Sequence, residues 1–133
     1  PISKGGFGCV YLASHNTSGE LFAIKVMEKE EMVMKNRLRS VTAEKDIMQA
    51  SQHPFVVRLY QAFQSRYNLY LVMDYLPGGD LGCLLSSIGA LDEDTAQFYV
   101  AEIVLVLQYI HSVGIIHRDL KPDNILIDKA GHI

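Results

Sequence analysis

The sequence predicts an α+β fold in two lobes, an antiparallel β-rich part followed by a mainly helical one. Three observations carry this. Extended apolar runs, 21–27 and 68–75 above all, crowd into the first 75 residues. The segment Leu76-Pro77-Gly78-Gly79-Asp80 then breaks all regular structure and reads as a linker. Beyond it, 92–112 repeats apolar residues at helical spacing.

Ile2-Ser3-Lys4-Gly5-Gly6-Phe7-Gly8-Cys9-Val10-Tyr11-Leu12 opens the chain as a Gly-rich turn running into an alternating strand. Glycines let a backbone come close enough to phosphates for its N–H groups to point at them. Gly5, Gly8 and Val10 match the pattern G-x-G-x-x-G-x-V, while Ser3 stands where its first Gly belongs. A plain Gly-rich hairpin is the alternative. Residues 15–20, with Asn16, Ser18 and Gly19, read as a hairpin loop. In the buried strand 21–27, Lys25 is a single charge among apolar residues and needs a partner unless it reaches solvent. Residues 28–52 are charged, then helical, with Val41, Ile47, Met48 and Ala50 as an apolar face. His53-Pro54 ends that helix, because the residue before proline is pushed out of the α region.

Residues 55–62 and 68–75 read as two antiparallel strands around a polar turn. After the linker, Leu81–Ile88 is a short helix stopped by Gly89. In 92–112, Asp92 can cap the helix, and Glu93 and Asp94 suit its positive end. Ala96, Val100, Ile103, Leu107 and Ile110 form the expected core stripe. Ile103-Val104-Leu105-Val106-Leu107 is apolar on every side, so the helix is expected to be central and buried. Gly114 is the expected stop. Ile125-Leu126-Ile127 reads as a short strand and 129–131 as a turn.

At 49% hydrophobic and 20% charged, the chain has ordinary globular composition. Its net charge of −3 points away from nucleic acid and acidic membrane surfaces as partners. No apolar run reaches the ~18 residues of a membrane span. The two cysteines, Cys9 and Cys83, fit a reducing compartment, hence a cytoplasmic or nuclear location. Cys9 is expected to face solvent and Cys83 to pack. Both ends read as cut from a longer protein.

His117-Arg118-Asp119-Leu120-Lys121-Pro122-Asp123-Asn124 matches H-R-D-L-x-x-x-N, and Ala23-Ile24-Lys25 matches the last three letters of V-A-I-K. With the Gly-rich turn upstream, these motifs make the chain resemble a eukaryotic protein kinase domain over essentially all 133 residues. Lys121, two residues after Asp119, is a Ser/Thr-kinase feature. The wording 72–81 and 114–124 resembles the AGC group. Ile2-Ser3-Lys4-Gly5 and Met34-Lys35-Asn36 are similar to the microtubule-associated Ser/Thr kinase and Greatwall-type branch.

The resemblance implies a five-stranded antiparallel sheet plus a helix in the N-terminal lobe (1–75), a hinge (76–80), and the start of the C-terminal lobe (81–133). It also implies ATP and Mg²⁺ as cofactors, and protein substrates with Ser/Thr acceptors, with basic residues N-terminal to the acceptor. Asp119 would accept the hydroxyl proton, Lys121 would steady the γ-phosphate, and Asn124 would hold a metal ion. Lys25 would pair with Glu44 and with phosphates. The loop Ile2, Ser3, Lys4, Gly5, Gly6, Phe7 and Gly8 would cover the nucleotide, and Ile2, Val10, Ala23 and Leu126 would sandwich adenine. Met73 sits at the gatekeeper position, and Asp74 and Leu76 would offer backbone bonds to adenine. Asp80 and Asp123 would meet ribose or basic substrate residues. His117 would stack with Met48 and Leu59 in a structural spine.

The D-F-G motif, which holds the other metal ion in this family, is expected a few residues past Ile133. These 133 residues alone are therefore expected to be inactive and prone to association. A catalytically silent pseudokinase, acting as a binding module, is the alternative reading.

Overall fold

The computed structural model describes every residue but Gly6, Phe7 and Gln52, and every side chain but theirs and those of Lys4, Gly5 and Ser40. The expected phosphate contacts of Gly6, Phe7 and the Lys4 side chain thus lie outside the described residues. The chain divides into two compact units, one of residues 1–52 and 56–75, the other of 53–55 and 76–133.

The first unit is a five-stranded antiparallel sheet with two helices. Its strands are β1 (Ser3–Gly5), β2 (Gly8–Ser14), β3 (Leu21–Glu28), β4 (Leu59–Gln64) and β5 (Asn68–Asp74), in the order β1-β2-β3-β5-β4. β4 begins at Leu59, later than the sequence suggests, because Pro54-Phe55-Val56 make a turn instead. That turn is closed by Phe55 N–H donating to His53 Nδ1 at 3.1 Å.

The helical stretch is two helices, α1 (Lys29–Met34) and α2 (Leu38–Ala50). Asn36, at φ 50°, separates them. The N–H groups of Asn36 and Arg37 close the end of α1 on Val33 O at 3.1 Å and Met32 O at 2.9 Å. Asparagine tolerates the left-handed conformation that such a stop requires. Met27, Met32, Val41, Met48, Leu71, Met73 and Ala23 form the core of this unit, with Leu59 and Val10 packed against it. Ala50, expected on the apolar face of α2, is exposed.

The second unit contains α3 (Leu81–Ile88) and α4 (Glu93–Ser112), packed with Ile125 and Ile127 around Leu81 and Tyr99. Asp92 caps α4 as expected, accepting from Thr95 N at 2.9 Å. Gly114, at φ 78°, ends it, with Ile115 N–H reaching back to Ile110 O at 2.8 Å. The expected core stripe is kept except at Val100, for Ile110 is buried, Ile103 packs against the core, and Ala96 and Leu107 are half-buried. Tyr99, Glu102 and Ile110 are buried, whereas Val100, Val104 and Leu105 are more than half exposed. The helix is therefore not buried all round among the described residues. Ile125-Leu126-Ile127 forms no strand, only an isolated bridge from Leu126 to Asp80. His53 belongs with this unit because its ring lies 4.7 Å from that of Tyr109 on α4.

Candidate active site

In the first unit, β3 presents Lys25 between its register partners Val10 on β2 and Leu71 on β5. Its Nζ donates to both Glu44 oxygens, at 2.7 and 2.8 Å. Glu44 lies one turn from Val41 and one turn from Met48, both buried, so the helix face that packs on the core also delivers the carboxylate. Met73 is buried opposite Ala23 across the β3–β5 ladder. Gly8, at φ 124°, has a structural demand of its own, since a Cβ there would lie 2.1 Å from Val26 O on β3. Ile2 and Ser3 are exposed, and Val10 is half-buried.

In the second unit, the segment 78–81 is laced to 125–127. Gly78 N–H donates to Ile127 O at 3.0 Å, Ile127 N–H to Gly79 O at 2.8 Å, and Leu81 N–H to Ile125 O at 2.8 Å. This sets Asp80 and Leu126 side by side. Asp80 also caps α3, accepting from Cys83 N at 2.7 Å. Cys83 is exposed rather than packed. The hydrogen bond to Asp80, reinforced by that carboxylate's charge, pushes the thiol pKa up, which disfavours the reactive thiolate. Cys9, expected to face solvent, is half-buried. A Cβ built on Gly82 would lie 3.1 Å from Asp80 Oδ1 and 3.2 Å from Asp123 Oδ1, so both carboxylates crowd the same point over Gly82.

The loop 117–124 is a tight polar knot. Arg118 takes φ 65°, a conformation uncommon outside glycine. Asp119 N–H donates to His117 Nδ1 at 3.3 Å, which gives the histidine a structural contact. Pro122 opens a 3₁₀ turn, Pro122–Asn124, that brings Asn124 back over Asp119. Asn124 Nδ2 donates to Asp119 O at 2.8 Å and to Asp119 Oδ2 at 3.0 Å. Lys121 Nζ lies 3.0 Å from the same Oδ2. The Lys121 hydrogen bond holds the Asp119 carboxyl below the usual carboxylate range against the opposing effect of desolvation, and Asn124 helps it. At neutral pH Asp119 is an empty proton acceptor. With both its amide hydrogens turned to Asp119, Asn124 leaves its carboxamide oxygen for a cation.

The protein kinase domain family matches residues 1–133, the whole of the chain. The chain belongs to the protein kinase family. It is 57% identical over 133 residues to the probable serine/threonine protein kinase IRE of Arabidopsis thaliana, covering 100% of this chain and 11% of that protein. It is 51% identical over 133 residues to the serine/threonine-protein kinase greatwall of Xenopus tropicalis, covering 100% of this chain and 15% of that protein. The resemblance to the Greatwall-type branch is borne out by that relative. The chain thus spans a small part, 11% and 15%, of the length of these two relatives.

The kinase chain also carries a polar contact that the sequence reading passed over. Glu102 is buried on α4, its Oε1 against His132 Nδ1 and its Oε2 accepting from Ile133 N at 2.9 Å. The signal was present, since Glu102 stands three residues after Tyr99 on the buried line of the helix. The Glu102 hydrogen bond and charge raise the His132 pKa against opposing desolvation, and Asp128 adds to the rise. A group whose folded pKa is raised stabilises the fold below its unfolded value, and that contribution fades as pH rises through the folded value. Melting temperature measured at about pH 6 and about pH 8.5 should therefore show a drop at the higher pH that Glu102→Gln flattens. An identical drop in the variant would remove this pair from the pH dependence.

Proposed function

We propose that this chain is part of an ATP-dependent Ser/Thr protein kinase that acts inside the cell. The observation that carries the proposal is the cluster of Asp119, Lys121 and Asn124, one carboxylate held by an amide and an ammonium group. Asp119 accepts the proton of the Ser or Thr hydroxyl as its oxygen bonds to the γ-phosphorus and the bond to the ADP oxygen breaks. Lys121 is a half-exposed surface partner of Asp119, weakly held, and is free to steady the γ-phosphate. Lys25, oriented by Glu44, binds the nucleotide phosphates. Asp74 and Leu76 supply backbone bonds to adenine, Met73 is the gatekeeper, and Ile2, Val10 and Ala23 lie against the base.

The donor chemistry fits Mg²⁺ in part. Among the described residues no group of three or more His, Cys, Asp or Glu side chains forms a metal site. Asn124 offers one neutral oxygen, so the ion's remaining ligands would be phosphate oxygens, water and a further carboxylate. Bound there, Mg²⁺ would neutralise charge on the phosphates. The test of the reading is transfer of labelled γ-phosphate from ATP to Ser/Thr peptides by the full-length protein. A folded protein that binds nucleotide and transfers none would be a pseudokinase.

The two carboxylates of Asp80 and Asp123, brought together over Gly82, suit a guanidinium or ammonium group bound by charge-assisted hydrogen bonds. A positional-scanning peptide library run on the full-length kinase should favour Arg or Lys two or three residues before the acceptor. Asp123→Asn should cut that preference by about tenfold, the worth of a charged hydrogen bond of roughly 1.5 kcal/mol. A flat profile, or selection for Pro just after the acceptor, would refute it. A role in loop structure alone is the competing reading for Asp80, favoured by its bond to Cys83 N.

A further inference from the structure

β4 contains one irregularity. Its ladder with β5 pairs Leu59 with Met73 and Gln61 with Val72, which makes Tyr60 the extra residue of a β-bulge. A bulge takes one side chain out of the normal alternation and re-aims it. The Tyr60 ring stands edge-on to Phe22 of β3 at 5.0 Å. Its hydroxyl donates to Asp74 Oδ1 at 2.8 Å. Asp74 is the last residue of β5 and the register partner of Phe22. Its Oδ2 accepts from Arg58 N at 3.0 Å, and its own N–H donates to Arg58 O at 3.2 Å. The Arg58 guanidinium lies 5.0 Å over the Tyr60 ring.

Hydrogen bonds from β4 and the segment before it thus converge on one carboxylate at the point where the sheet ends, and Phe22 of β3 backs the Tyr60 ring. The sheet itself does not require them, because β5 is already paired with β3 on one side and β4 on the other. The side chain of Asp74 does what further ladder bonds cannot: it holds the strand end from outside the ladder. The proton stays on Tyr60, whose pKa is raised chiefly by that hydrogen bond.

We infer that Tyr60 and the Asp74 carboxylate are positioning residues for the nucleotide: they hold the backbone at 74–76 in the one conformation that can bond an adenine ring. This rests on the reading of 74–76 as the adenine-binding segment. Nucleotide affinity then depends on a residue, Tyr60, that takes no part in the chemistry. Tyr60→Phe keeps the ring against Phe22 and removes only the hydroxyl.

In the full-length kinase, Tyr60→Phe should weaken ATP binding and raise KM for ATP by roughly fivefold, a change of about 1 kcal/mol. It should leave kcat and KM for peptide near wild type. Amide hydrogen exchange at 74–76, measured without nucleotide, should be faster in the variant. Both changes together support the inference. Unchanged exchange, faster exchange with unchanged ATP affinity, or an equal loss in kcat overturns it. The exchange measurement needs no ligand. A wild type that binds no ATP would therefore sink the kinase reading of the site, a failure distinct from that of the clamp.

Discussion

Asp119→Asn in the full-length kinase should lower kcat by roughly 10²–10⁴-fold, the usual contribution of a positioned general base. Asparagine keeps the size of the side chain and can still accept from Asn124. What it loses is the charge that receives the hydroxyl proton. ATP affinity should stay close to wild type, because the proposed phosphate and adenine contacts lie on other residues. Melting temperature should barely move. The Asp119 and Lys121 side chains are 50% and 42% exposed, and an exposed ion pair contributes little. With its pKa depressed, Asp119 also stays ionised through the mildly acidic range, so any acid limb it contributes to the rate should lie below the ordinary carboxylate range. A loss smaller than about tenfold, measured with chemistry rate-limiting, would remove Asp119 as the base.

Lys25→Met should cut turnover by an amount on the order of 10²–10³-fold, the scale seen when one preorganised donor is lost from an active site. Methionine replaces the aliphatic stem between Val10 and Leu71, so packing is largely kept. The stranded partner is tolerable as well. The Glu44 side chain is 36% exposed against 15% for Lys25, so water can reach the carboxylate once the ammonium group is gone. The variant should therefore melt near wild type and lose activity through weaker phosphate contact. Circular dichroism and a steady-state assay check both halves. Near wild-type kcat in a folded Lys25→Met protein would take Lys25 out of the mechanism.

The helix Leu81–Ile88, the Asp92 cap and the Gly114 stop were all legible in the sequence, because each rests on a few neighbouring residues. Other elements were not. The break at Asn36 was missed because an asparagine inside a charged stretch looks like any exposed polar residue until its φ is known. The late start of β4 follows from the turn at 54–56 and from the placement of His53 against Tyr109, a partner 56 positions away. The expectation that α4 is buried on every side failed at Val100, Val104 and Leu105, because a run of five apolar residues has no periodicity to show which side faces Leu81 and Ile125.

By itself, the sequence determined the family-bearing motifs and the residue types available for chemistry: a strand lysine, a helix glutamate, and the loop Asp119, Lys121 and Asn124. These are local patterns, and local backbone rules are enough to read them. Only the tertiary structure decided how these side chains meet. The pairing of Lys25 with Glu44 was already implied by the resemblance, and the structure adds its cause: α2 packs Val41 and Met48 into the core and carries Glu44 with them. Asp80 and Asp123 converge over Gly82, because backbone bonds lace 78–81 to 125–127. Asp74 receives Tyr60, because a one-residue bulge turns that ring aside. Each depends on a contact between residues far apart in the chain, which the order of the letters does not record.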